Sequence, residues 1–74
     1  MPKLPVVSGR DARRAFEQAG WRFNRQRGSH MVLIRDGVAV NLCIPDHREL
    51  DRGLLRSLIR DSGLTVEEFC ALLG

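Results

Sequence analysis

Asp36-Gly37, set between the apolar runs Met31–Ile34 and Val38–Leu42, constrains the fold of this chain more than any other feature. An Asp-Gly step between apolar runs signals a two-residue β-hairpin of type I′, a turn whose central residues both take positive φ. It predicts antiparallel pairing with Arg35 opposite Val38, Leu33 opposite Val40 and Met31 opposite Leu42. On the other face Ile34 meets Ala39, Val32 meets Asn41 and His30 meets Cys43. Met31, Leu33, Val38, Val40 and Leu42 are the larger apolar set, so they should meet the helices. His30, Val32 and Ile34 then share a helix-free face, and a slip of one residue would exchange the two faces.

The flanking segments supply a third strand and three helices. Trp21 to Gln26 alternates, with Trp21 and Phe23 on one side and Arg22, Asn24 and Gln26 on the other, the period of a half-buried strand. Gly28-Ser29 turns it into the hairpin. Before it, Met1 to Val7 is an extended lead-in, Ser8 is an N-cap with Asp11 three residues on, and Ala12, Ala15, Phe16 and Ala19 form an apolar stripe that ends at Gly20. After the hairpin, Pro45 to Glu49 forms a loop. Asp51 caps a second helix with Leu50 and Leu55 as a staple, Leu54, Leu55, Leu58 and Ile59 as its buried stripe, and Gly63 as its stop. Thr65 with Glu68 is a capping box that starts a short helix running to Leu73.

Seventy-four residues fit one domain, 1–74, with a thin core. No apolar run approaches the ~20 residues of a membrane span, and the amino end lacks the plan of a signal peptide. Cys43 and Cys70 lie far apart with no Cys-x-x-Cys, which fits two reduced thiols in a cytoplasmic protein. Charge is uneven. Residues 1–35 carry eight Lys/Arg against Asp11 and Glu17, a net of +6, while 36–74 carry four Arg against seven acids, a net of −3. Eleven of the twelve cations are arginine, whose planar fork suits phosphate, so the basic half points to RNA or DNA.

Histidine is the side chain best suited to moving protons near neutral pH. His30 follows Gly28-Ser29 and has Arg25, Arg27 and Arg35 nearby in sequence. That set can bind a phosphodiester, take a proton from a ribose 2′-OH and stabilise the developing charge, without a metal or other cofactor. RNA would be cut and DNA spared. His47 is a second candidate, as an assisting acid or as a residue of the site wall, and Cys43 opposite His30 reads first as a small hydrophobe. No clustered set of metal ligands and no phosphate-cradling glycine loop is present. Val32 and Ile34, expected beside His30 on an open face, form an apolar patch of the kind that marks a protein partner.

Leu4-Pro5, the helix closing at Ala19-Gly20-Trp21, and Arg25-Gln26-Arg27-Gly28-Ser29-His30 resemble the HicA (YcfA-like) toxins. So do Ile44-Pro45-Asp46-His47, Glu49-Leu50, Gly53 to Arg60, and Gly63 to Phe69, in the same order along nearly the whole chain. The resemblance implies an α+β, double-stranded-RNA-binding-domain-like fold: a helix, a three-stranded antiparallel sheet, a helix, and a short C-terminal helix. It also implies a metal-independent mRNA interferase of a type II toxin–antitoxin pair, with His30 as catalytic residue and a HicB-type antitoxin as partner. DNA would then be met only through the antitoxin complex. Two positions depart from the family pattern, Met31 after the histidine and Cys43 in the third strand. The other reading is a non-catalytic nucleic-acid binder, either an RNA-binding module or a helix-turn-helix of Leu54 to Leu73. Against the latter, Val66 to Leu73 carries Glu67 and Glu68 and no cation.

Overall fold

A computed structural model describes residues 3–74; the start of the expected lead-in, Met1 and Pro2, lies outside the described residues. The order is α1 (Gly9–Gln18), β1 (Arg22–Arg27), β2 (His30–Ile34), β3 (Leu42–Pro45), α2 (Arg52–Ser62) and α3 (Val66–Leu72). The strands form one antiparallel sheet in the order β1-β2-β3. This is the expected α+β, double-stranded-RNA-binding-like architecture.

Each helix begins where the sequence places a cap. The Ser8 hydroxyl accepts from the Asp11 amide at 3.1 Å, and the Asp51 carboxylate accepts from the Leu54 amide at 3.1 Å. Thr65 and Glu68 make both bonds of the capping box, at 3.0 and 2.9 Å. The Asp11 carboxylate does not reach back to Ser8 in the same way; it takes the Arg14 guanidinium instead. Gly63, at φ +86°, closes α2 in the left-handed conformation that a side chain would oppose.

The core lies between one face of the sheet and the helices. Ala12, Ala15 and Phe16 of α1, Leu55, Leu58 and Ile59 of α2, and Phe69 of α3 cover Met31, Leu33, Leu42 and Ile44 of the sheet. Leu4, Val7 and Leu50 close one side of this cluster, and the Leu50 amide donates to the Val7 carbonyl at 2.9 Å. Gly9 is fixed by contact. A Cβ there would stand 1.9 Å from the Pro45 carbonyl oxygen, and its amide donates to the His47 carbonyl at 2.9 Å. The start of α1 is thereby clamped onto the end of β3.

The hairpin differs from expectation in its turn. The Val38 amide does bond to the Arg35 carbonyl, at 3.1 Å, across Asp36-Gly37. Gly37 takes φ +80°, but Asp36 stays out of the positive-φ region, as in a type II turn and not in type I′. A type II turn splays its flanking strands, so residues 38–41 leave the ladder and pairing resumes at Leu42. Leu33 therefore faces Leu42, Met31 faces Ile44, Val32 faces Cys43, and His30 faces Pro45 in place of Cys43. The shift is of two residues, so no side chain changes face. Its cost to the expected core is Val38 and Val40, which are exposed in the loop, and their place is taken by Ile44.

Candidate functional site

The sheet face turned away from the helices is built by an irregularity in β1. Arg22 pairs with Ile34 and Phe23 with Leu33, after which the register shifts and Arg25 pairs with Val32, Gln26 with Met31 and Arg27 with His30. Asn24 is the extra residue of a β-bulge, a device that re-aims the side chains beyond it. Strict alternation from Trp21 and Phe23 would have put Arg25 and Arg27 on the helix side. The bulge reverses that phase and sets both arginines on the face of His30. Gln26 is the residue moved to the helix side, beside Met31.

Arg27, Gly28, His30, Val32 and Cys43 line one open concavity of about 570 Å³ on this face. His30 is solvent-exposed at the start of β2, directly after the tight Gly28-Ser29 turn, where Gly28 takes φ +57°. The turn is tied down from two sides. The Gln26 side chain donates to the Gly28 carbonyl at 3.1 Å, and the Asp46 amide donates to the Ser29 carbonyl at 2.7 Å. The histidine thus stands on a strand end held by a neighbouring loop, which favours a fixed backbone under it.

Four expected site residues sit elsewhere or differently. Arg35 donates to the Ala19 carbonyl at 2.8 Å with its guanidinium packed over Gly20, so it caps the end of α1 and does not join His30. Its placement follows from cation binding at a helix C-terminus, whose carbonyls lack partners. His47 is exposed in the loop after β3 and does not line the concavity; its backbone carbonyl holds Gly9. Val32 is not exposed as expected. It is 3% accessible, because its short side chain on the central strand lies between those of Arg25 and Cys43 opposite it on either neighbour. Ile34 is half-buried, so the two residues do not form an exposed apolar patch.

Arg22 is the residue of this face that sequence reasoning missed. It stands opposite Ile34, on the same side as Arg25 and Arg27, and its guanidinium meets the Asp36 carboxylate at 2.9 Å. The signal was present as three arginines in six residues, but only the bulge puts all three on one side.

The cations of α1 are differently engaged. Arg10 forks onto Asp46 at 3.1 and 3.3 Å, Arg13 meets Glu17 at 3.5 Å, and Arg14 meets Asp11. The hydrogen bond from Arg10 holds the Asp46 carboxyl below the usual carboxylate range. Arg13 also lies 4.1 Å above the ring of Phe23, a cation–π contact that covers an aromatic left 39% accessible at the sheet edge. Arg25 and Arg27 make no ion pair among the described residues. Both cysteines are free, Cys43 exposed in the concavity and Cys70 half-buried. Among the described residues no group of three His, Cys, Asp or Glu side chains is arranged to hold a metal ion.

A small α+β domain with one helix-covered and one open sheet face, the open face carrying a histidine among arginines, has the form of a double-stranded-RNA-binding-like module with a candidate reactive centre. The family model described as HicA toxin of bacterial toxin–antitoxin matches residues 9–64, and the chain belongs to that family. Membership implies an antitoxin partner. No curated protein sequence matches the chain. Among the described residues no helix is long and apolar enough to cross a membrane.

Proposed function

We propose that this toxin is a metal-independent endoribonuclease that cleaves mRNA in the cytoplasm, with His30 at the reacting atoms and Arg27 and Arg25 on phosphate. The observation that carries the reading is the bulge at Asn24, which sets Arg27 beside a solvent-exposed His30 and Arg25 on the same sheet face, both without an ion pair among the described residues. His30 takes the proton of a ribose 2′-OH, and the 2′-oxygen attacks the adjacent phosphorus. The bond to the 5′-oxygen breaks, that oxygen leaves with a proton from solvent, and a 2′,3′-cyclic phosphate remains. Arg27, opposite His30 in the ladder and lining the same concavity, offsets the charge that develops on the non-bridging oxygens. His47, outside the concavity, has no step in this scheme. Neutralisation is by a HicB-type antitoxin that covers the open face and blocks His30, with Ile34 supplying apolar contact at its margin.

A helix-turn-helix reading has less support. Phe69 of α3 is wholly buried against the core, while Glu67 and Glu68 face solvent and would repel a phosphate backbone. The test is direct. With EDTA present, the purified chain should cut an RNA oligonucleotide and leave DNA of the same sequence intact, since DNA lacks the 2′-OH. Equal cutting of both, or cutting of neither, contradicts the reading.

A further inference from the structure

We infer that the RNA strand lies extended along β1, with Arg27, Arg25 and Arg22 each holding one of three successive phosphates and the bases resting in the concavity over Cys43. This rests on the reading of His30 as the ribonucleolytic centre and adds to it a substrate register. The three arginines stand opposite His30, Val32 and Ile34, which are spaced two residues apart on β2. Two residues of strand span about 6.7 Å. Successive phosphates of an extended single strand can follow such a row of cations, one per arginine. The cations therefore form a row along one edge of the sheet, with His30 opposite its Arg27 end.

Beside that edge the open concavity has an uncharged part, exposed at Cys43. Val32 and Cys43 face one another across β2 and β3, and both line the concavity that holds His30. A base unpaired from any partner can lie there, while a duplex would place its second strand over the same surface. A cationic track with an adjoining platform is the general plan of single-strand binding. No aromatic side chain lines the concavity, so the base rests there without stacking on a Phe, Tyr or Trp ring. The arginines of α1 are poorer candidates for this role, because Asp46, Glu17 and Asp11 already engage them. Arg22 alone on the track has a competitor, Asp36, which is 93% exposed and can yield to a phosphate.

The experiment uses the full chain carrying His30→Ala, so that RNA stays intact, and a labelled single-stranded oligouridylate titrated over a range of salt. Arg22→Gln and Arg25→Gln should each weaken binding and lower the slope of log affinity against log salt by about 0.7, one phosphate contact apiece. Arg14→Gln and Arg52→Gln should leave affinity and slope unchanged. Asp36→Asn, which releases Arg22, should tighten binding. Unchanged slopes for Arg22→Gln and Arg25→Gln, or tighter binding of duplex than of single-stranded RNA, would overturn the register. Failure of the catalytic reading appears separately, as intact RNA in the presence of the unsubstituted protein.

Discussion

His30→Ala should lower RNA cleavage by about 10²- to 10⁴-fold, the range contributed by a positioned general acid or base. Its melting temperature should stay close to that of the parent. The imidazole is exposed, and its side chain makes no hydrogen bond among the described residues, so truncation opens no cavity and strands no buried partner. The pairing of lost cleavage with retained stability separates chemistry from folding. Cleavage within a few-fold of the parent would remove His30 from the reaction and turn attention to His47, the second histidine of the chain.

Phe69→Ala should have the largest effect on stability. Phe69 lies past the segment matched by the family model, yet it is wholly buried with its ring 5.0 Å from that of Phe16 on α1. Truncating a buried phenylalanine costs about 3–5 kcal/mol through lost burial and the cavity left behind. A domain of this size has roughly 4–11 kcal/mol in total. The substitution should thus lower the thermal midpoint by at least ~12 °C. A drop of only a few degrees would mean that α3 packs loosely and the core is complete without it. Since α1 is clamped through Gly9 onto Pro45, the neighbour of His30 in the ladder, loosening α1 should also disorder the site.

Local signals in the sequence were reliable because their causes are local. Ser8, Asp51 and Thr65 each satisfy amide groups within three residues, and Gly63 stops α2 at its own φ. The face on which His30 lies was also legible, since it follows from alternation along β2 alone. What depends on a backbone choice was not. Asp36-Gly37 supports more than one turn, and the conformation of Asp36 decided between a tight hairpin and a ladder displaced by two residues. The bulge at Asn24 left no pattern to read, because β1 is an edge strand exposed on both faces and burial imposes no phase on it. Arg35 was grouped with the site by nearness in sequence, but the carbonyls at the end of α1 claimed it. The burial of Val32 needed the neighbouring strands, which no stretch of β2 reveals by itself.

These differences sharpen the site and do not remove it. The histidine stays on the open face under either register. The bulge brings Arg25 and Arg27 to its face, and the expected apolar patch gives way to an open concavity at the edge of that row of cations. One measurement tests the central claim most directly: identification of the end groups left when the purified chain cuts RNA in EDTA. The account predicts a 2′,3′-cyclic phosphate, or the 3′-phosphate from its hydrolysis, on one fragment and a free 5′-hydroxyl on the other, both absent with His30→Ala. Fragments that carry a 5′-phosphate and a 3′-hydroxyl would contradict it, because attack by the neighbouring 2′-oxygen cannot produce them.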